Sequence, residues 1–442
     1  MLESVLRSAE SLRPSRIVVV LGASRAAVEP LLAGRGVTVV VQDPPRGTGD
    51  AVVQALAALS DGDGPVMILS GDVPLIRPET LAGLLDKLGK GADLALLTFR
   101  PPEPGVFGRV VRDRRGHVQR IVESRNATAR ERSIGEVNAG IYAFQAPALA
   151  RAAARLREDP VSREIYLTDA VEILTSARNR VETAESADWR EAWGINTRTD
   201  LAAAEEIMRR RALEAALEAG VTLIDPATTR IGPDVRLEPD VVIHPFVSLE
   251  GRTVLRERCE VLPFTRIADS EIAPDTVIGP HCDVEGAVIG ARSRVGPYSR
   301  LRPETVLEED VRVGNFVETK KATLRRGVKA LHLSYLGDAE IGAETNVGAG
   351  IITCNYDGVN KNRTTVGSGV FLGSDSQLIA PVTIGEGAYV AAGSTITEDV
   401  PPSALAISRV PQKNIEGWAE KRRARRAPPD GGTGRRGAGE KP

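Results

Sequence analysis

His332 stands in the run Ala330-Leu-His-Leu-Ser-Tyr-Leu-Gly-Asp338 and is one of only four histidines in 442 residues. A lone histidine in an apolar stretch is ordinarily structural. Here a polar segment follows, Ile352-Thr-Cys-Asn-Tyr-Asp-Gly-Val-Asn-Lys-Asn-Arg-Thr-Thr365, and Lys320, Lys321 and Tyr335 lie close by in sequence or in repeat. Imidazole titrates nearest to neutrality, so a histidine in that setting suits a general base that takes a proton as a nucleophile attacks. Arg302, Lys320 and Lys361 are cations suited to holding a phosphate. In the first half of the chain, Ser70-Gly-Asp-Val-Pro74 follows the apolar run Val66-Met-Ile-Leu69. Asp72 is thereby set at the carboxyl end of a strand, where ligands of α/β sheets bind. Asp72 and Asn196 offer hard oxygen ligands of the kind that Mg²⁺ takes. Gly47-Thr-Gly-Asp50, downstream of Gln42, marks a strand-to-helix turn whose backbone N–H groups can receive a uracil or a phosphate. On its own that tetrapeptide is equally a plain turn.

Two kinds of scaffold must position these groups. From residue 1 to about 197, short apolar strands alternate with helical stretches. Ile17–Leu21, Val37–Val41 and Val66–Leu69 read as strands; Ala26–Leu32, Ala51–Leu59 and Pro78–Leu88 read as helices, and Leu2, Val5 and Leu6 make one side of an amphipathic opening helix. Near-continuous β-branched runs between helices imply a parallel sheet covered on both faces. An Ala/Glu/Arg-rich helical connector occupies 198–218. Beyond it, aliphatics recur every six residues at Ile231, Leu237, Ile243, Leu249, Leu255, Val261 and Ile267, then after a five-residue step at Ile272, Ile278 and Val284, after another at Ile289, Val295, Leu301, Leu307 and Val313, and again from Leu372 to Ile396. Neither a helix nor an alternating strand has that period. A short strand plus a turn does, with the aliphatic pointing into a coil and a small residue after it letting the chain corner. Residues 219–420 are therefore expected to form a solenoid of stacked coils. The tail 421–442, rich in Arg, Pro and Gly, is expected to be disordered. A net charge of −2 and 4% aromatic residues leave no basic field or stacking platform for nucleic acid. No apolar run approaches a membrane span. Three cysteines, Cys259, Cys282 and Cys354, make no disulfide framework and fit a reducing cytoplasm.

Taken together, Arg302 in Leu-Arg-Pro, Val313-Gly-Asn-Phe-Val-Glu-Thr-Lys-Lys321, His332-Leu-Ser-Tyr-Leu-Gly-Asp338, Asn346-Val-Gly-Ala-Gly350, Thr353-Cys-Asn-Tyr-Asp-Gly358 and Ala406-Ile-Ser-Arg-Val-Pro411 closely resemble the bifunctional bacterial N-acetylglucosamine-1-phosphate uridyltransferase/glucosamine-1-phosphate N-acetyltransferase family. The resemblance runs over nearly the whole chain, and Leu331 stands where the family often has Gly. It implies an α/β nucleotidyltransferase domain of Rossmann-like form followed by a left-handed parallel β-helix of hexapeptide repeats. It implies His332 as catalytic base. It assigns the sugar phosphate to Arg302, Lys320, Tyr335 and Asn346, and acetyl-CoA to Ala349, Asn355, Tyr356, Ser374, Ala392 and Arg409. It assigns the UDP-sugar to Gln42, Gly47, Thr48, Ser70, Gly71, Asp72, Gly108, Glu123, Asn138 and Asn196, with Mg²⁺ on Asp72 and Asn196. The implied substrates are glucosamine-1-phosphate, acetyl-CoA, N-acetylglucosamine-1-phosphate and UTP, and the implied assembly is a cytoplasmic homotrimer feeding peptidoglycan and lipopolysaccharide precursors. The family opens with an apolar strand, a Gly-x-Gly-Thr-Arg loop and a Pro-Lys, and no such segment stands here; Leu21-Gly-Ala-Ser24 is the nearest run. The expectation is a nucleotidyltransferase domain short of its first strand and phosphate loop, roughly thirty residues, through a late start site or a true loss, with acetyl transfer retained and little or no uridylyl transfer. An acetyltransferase with a vestigial first domain, and a non-enzymatic exchange-factor-like regulator, are the other readings. His332 with the Asn355-Tyr356 loop speaks against the last, since a binding scaffold has no use for it.

Overall fold

The computed structural model describes residues 1–22, 25–59 and 64–425. The chain forms two compact units, Met1–Arg210 and Arg211–Pro442. The helix Arg198–Glu218 runs through the junction, giving Ala204 to the packing around Leu75 and Ile195 and giving Leu213 and Ala216 to the core of the second unit.

In the first unit the helices Leu2–Glu10, Thr48–Leu56 and Pro78–Gly89 lie near their expected positions. Eight strands follow in order: β1 (Val18–Leu21), β2 (Thr38–Val41), β3 (Val66–Ile68), β4 (Leu94–Phe99), β5 (Arg109–Arg112), β6 (Val118–Val122), β7 (Val137–Phe144) and β8 (Val181–Glu185). The expected all-parallel sheet is not what forms. β1 and β2 pair in parallel as a ribbon of their own, and β4 pairs in parallel with β8. β7 lies between β3 and β4 and runs antiparallel to both, with Phe144 opposite Val66 on one side and Leu94 on the other. Buried over nearly its whole length, β7 reads as a continuous apolar run just as a central parallel strand would. Hydropathy carries no information about strand direction. β1 and β3 both line a cavity of about 1020 Å³, together with Leu2, Val5, Leu6 and Ala9 of the first helix and Ala51, Val52 and Ala55.

The second unit is a left-handed parallel β-helix, and here the hexad reading holds position by position. Ile243, Leu249, Leu255, Val261, Ile267, Ile272 and Ile278 point into the coil and are at most 1% exposed, as are Leu372, Leu378, Ile384 and Val390 further on. Each strand pairs in parallel with the strand one coil on: Arg230 with Ser248, Arg312 with Lys329, Asn346 with Phe371. Buried hydroxyls fill the remaining inner corners and bond to carbonyls of the next coil, Thr265 to Gly279 at 2.8 Å and Ser299 to Gly314 at 2.6 Å. Burial pushes the thiols of Cys259 and Cys282 up to about 11, so both serve as inert filling. Corners fall on left-handed residues. Phe246, Phe264, His281, Tyr298 and Phe316 all have φ between 55° and 61°, and their rings stack in a ladder 4.7–5.5 Å apart. That stacking offsets part of the roughly 1–2 kcal/mol each such conformation costs an L-residue.

Gly296, at φ 97°, has the backbone freedom expected of the glycine after the aliphatic, but at Gly290 and Gly314 the purpose is different. Gly290 and Gly314 are not at positive φ; a Cβ on Gly290 would fall 2.5 Å from the backbone carbon of Glu308, and one on Gly314 only 1.9 Å from the carbonyl oxygen of Leu331. These positions are glycine because the next coil passes there. Gly314→Ala is therefore expected to lower stability by about 1–3 kcal/mol or more through overpacking, read as a drop in the thermal midpoint; an unchanged midpoint would contradict the close approach. Of the expected tail, 421–424 belong to the helix Trp418–Ala424, and 426–442 lie outside the described residues.

Candidate active sites

The strand Arg312–Leu324 lies directly beneath the strand Lys329–Ile341, which sets Asn315 opposite His332, Glu318 opposite Tyr335 and Lys320 opposite Gly337. Asn315 Oδ1 lies 3.2 Å from His332 Nδ1. Leu333, next to His332, is a left-handed corner, and its carbonyl accepts from Gly350 N. The coils then repeat that corner. Asp375 N bonds to Ala349 O, and Gly393 N bonds to Ser374 O. Asn315, His332, Ala349, Ser374 and Ala392 each precede a left-handed corner residue, namely Phe316, Leu333, Gly350, Asp375 and Gly393. They form one column along an edge of the prism, a coil apart, or about 4.8 Å per step. Arg409 closes it, its guanidinium donating to Ala392 O at 2.6 Å. Ala349, Ser374 and Ala392, matched to acetyl-CoA, thus share a line with the expected base and give it only small side chains up to Arg409, also matched to acetyl-CoA. Leu331 beside the base is 39% exposed and leaves the column intact.

The interrupting loop is the one place where the coil lengthens. Ala339 pairs with Thr364, twenty-five positions on, whereas Arg312 pairs with Lys329, seventeen on. Asp357 organises the excursion, accepting from Val359 N at 2.8 Å, Asn360 N at 2.6 Å and Asn362 Nδ2 at 3.0 Å, while Tyr356 Oη donates to Gly358 O at 2.6 Å. Asn355, nearly buried, is tied to Asp338. The loop so folded carries Lys361 back to Lys320. The proximity of Lys361 is the main reason the Lys320 ammonium is held below its ordinary range, with desolvation and Arg302 adding to it. Arg302, Lys320 and Lys361 gather at one point, with Asp338 only a lesser counter-charge on Lys320, and such a cluster of cations suits an anion. Arg302 also holds Glu318 at 3.0 Å. The Tyr335 hydroxyl lies over Gly337, where a Cβ would come within 2.4 Å of it. Asn346 sits apart, paired with Lys329 and Phe371 on the adjoining face.

In the first unit, Thr48, Ser70, Gly71, Asp72, Glu123 and Asn138 all line the 1020 Å³ cavity. Gln42 stands behind them, its amide donating to Gly47 O at 3.0 Å and Asp50 at 2.8 Å, so it braces the loop. Gly47 has φ 102°, and a Cβ there would strike the Ile165 carbonyl at 2.6 Å. Gly108 O accepts from Asn138 N, and Thr168 Oγ1 donates to Glu123 at 3.0 Å, which brings Gly108, Glu123 and Asn138 together. Asn138 is pinned at both ends of its amide, by Gly140 N at 3.2 Å and by the buried Tyr142 hydroxyl at 2.7 Å. The Asp72 carboxylate lies against Gly194, two residues before Asn196, so strand end and distant loop converge. Among the described residues no group of three or more His, Cys, Asp or Glu could hold a metal. A two-ligand site fits Mg²⁺, which keeps waters and takes phosphate oxygens. Asn315, Glu318, Asp357, Tyr142 and Thr168 were not singled out from sequence; the coil period counted back from His332 would have found Asn315.

Comparison with known proteins agrees with this layout. Residues 1–137 match the MobA-like NTP transferase domain, 220–330 the GMPPB C-terminal domain, and 363–398 the bacterial transferase hexapeptide (six repeats). The bifunctional protein GlmU of Stutzerimonas stutzeri is 46% identical, covering 95% of this chain and 92% of that protein. GlmU of Corynebacterium glutamicum is 43% identical over 95% of this chain and 87% of its own length, and that of Thermodesulfovibrio yellowstonii 41% identical over 96% and 93%. With identity at this level over nearly the full length, a nucleotidyltransferase domain and a hexapeptide β-helix in the same order, the chain belongs to the bifunctional GlmU family of acetyltransferase–uridyltransferases.

Proposed function

We propose that the β-helix transfers the acetyl group of acetyl-CoA to the amine of glucosamine-1-phosphate, with His332 as base. The observation that carries this is the column from Asn315 to Ala392, which puts an imidazole at the head of a strip of small residues two coils long. Arg302, Lys320 and Lys361 hold the phosphate, with Tyr335 and Asn346 toward the sugar. The pantetheine arm lies along Ala349, Ser374 and Ala392, and the nucleotide end falls near Arg409, with Asn355 and Tyr356 flanking. As the amine attacks the thioester carbonyl, the C–N bond forms, the proton passes to His332, and the C–S bond breaks to release CoA. In the first unit, UTP and N-acetylglucosamine-1-phosphate meet in the cavity lined by Thr48, Asp72, Glu123 and Asn138, giving UDP-N-acetylglucosamine and pyrophosphate. Asp72 and Asn196 would hold Mg²⁺, which supplies charge compensation on the phosphates. CoA release and pyrophosphate release, assayed on one preparation, test both halves. Pyrophosphate without CoA release would sink the acetyltransferase assignment, and the converse would leave acetyl transfer alone.

Lys361→Ala is expected to raise KM for glucosamine-1-phosphate about tenfold, the scale of one charge-assisted phosphate contact, with kcat little changed. An unaltered KM would remove Lys361 from the phosphate site. We also assign the chain to the cytoplasm, without a nucleic-acid partner, as a homotrimer whose flat β-helix faces pack about a threefold axis. Half-exposed Phe371, Tyr389 and Leu405 stack in register along one such face, and no described helix is long and apolar enough to cross a membrane. Sedimentation showing a fully active monomer would overturn the trimer.

A further inference from the structure

His332 is exposed, and its corner neighbours Leu331 and Leu333 are 39% and 62% exposed, so packing does little to hold the ring. Its one side-chain hydrogen bond among the described residues is Nδ1 to Asn315 Oδ1, 3.2 Å. Parallel register fixes that meeting, because Asn315 and His332 are partners on adjacent coils. We propose that Asn315 is a positioning residue for His332: its amide oxygen holds the imidazole proton on Nδ1 and leaves the Nε2 lone pair for the substrate amine. This rests on the reading of His332 as the base.

A neutral imidazole carries one N–H, and the hydrogen bond at one nitrogen decides which tautomer is present. Held by an acceptor at Nδ1, the ring presents Nε2 as a base. Without that acceptor it rotates and samples the tautomer with Nε2 already protonated. An amide accepts the bond without adding a charge. A carboxylate in its place would favour the imidazolium and fill the base with a proton at neutral pH. The adjoining positions of the column, Pro297 before Asn315 and Ala349 after His332, are uncharged, so Asn315 is the polar group that the column itself offers the ring.

The experiment measures kcat, both KM values and the pH profile of acetyl transfer for Asn315→Ala, Asn315→Asp, His332→Ala and the double variant Asn315→Ala/His332→Ala, in the full-length chain. Asn315→Ala is expected to lower kcat about 10- to 100-fold, the usual scale for losing the partner that orients a functional histidine, with KM values within about threefold. Asn315→Asp is expected to recover part of that loss at high pH and to move the acid limb of the profile up by about one pH unit. The double variant should be no slower than His332→Ala. Wild-type kcat in Asn315→Ala beside an inactive His332→Ala would overturn the Asn315 inference alone. Full activity in His332→Ala would overturn the base assignment and this inference with it. Should Asn315→Ala fail to fold, the near-isosteric Asn315→Asp decides, and an acid limb in its wild-type place counts against the proposal.

Discussion

His332→Ala is expected to lower acetyl transfer about 10²-fold or more, the usual scale for losing a general base, while the β-helix stays folded. The acceptor amine of glucosamine-1-phosphate is largely protonated at neutral pH and becomes nucleophilic only as its proton leaves. In the structure the one histidine of the column faces outward, and its loss empties no core position, since Ala330 and Leu336 carry the inward packing on either side. Thermal midpoint and oligomeric state should therefore match the wild type. The phosphate contacts proposed for Arg302, Lys320 and Lys361 do not involve the imidazole, so KM for the sugar phosphate should move little and the effect should fall on kcat. Adding imidazole gives a second readout, because a small base that enters the vacated corner should restore part of the rate. Near-normal turnover in the folded variant would make His332 structural and return the column to mere solenoid geometry.

How far the sequence reached follows from which forces leave a period in it. The coil interior demands one aliphatic per face, so Ile243, Leu255 and Ile278 were readable as core before any coordinates, and the interruption at 352–365 marked where the coil lengthens. Contacts between coils leave no local signature. Asn315 meets His332 across seventeen residues, and Lys361 reaches Lys320 because Asp357 folds the loop; neither follows from composition. The glycines showed the same limit. Their recurrence was visible, but at Gly290 and Gly314 their cause, a neighbouring backbone, lies one coil away. In the first unit β1, β2 and β3 were read as strands while β4 to β8 were not, and the sheet's pairing was not legible either, because β7 is buried between β3 and β4 and its hydropathy is the same in either direction. Of the UDP-sugar set, the residues on strand ends such as Asp72 were placed by the βα rule. The bracing roles of Gln42, Thr168 and Tyr142 depend on side-chain hydrogen bonds between distant segments.

Asp72→Ala is expected to reduce uridylyl transfer by about 10²- to 10³-fold or more, a loss on the scale of removing a group that stabilises developing charge at phosphorus, and to leave acetyl transfer untouched. Asp72 lies in the turn just beyond the strand Val66–Ile68, and its carboxylate lies against Gly194 on the loop that delivers Asn196. Transfer of the uridylyl group builds negative charge on oxygens that are already anionic, and a divalent cation on the proposed Asp72–Asn196 site would offset it. With only two protein ligands, removing the charged one takes away most of what the chain contributes, since Asn196 alone is a neutral donor. The variant should keep its fold, because Asp72 is not among the buried charged residues and its backbone carbonyl, which accepts from Ile195 N at 2.9 Å, is retained. The acetyltransferase column draws every residue from the second unit, so CoA release should proceed at the wild-type rate in the same preparation. Raising Mg²⁺ should recover part of the pyrophosphate release in Asp72→Asn but little in Asp72→Ala, since the amide keeps an oxygen ligand and the methyl does not. Equal pyrophosphate release by Asp72→Ala and wild type at limiting Mg²⁺ would refute the placement of the metal at this strand end.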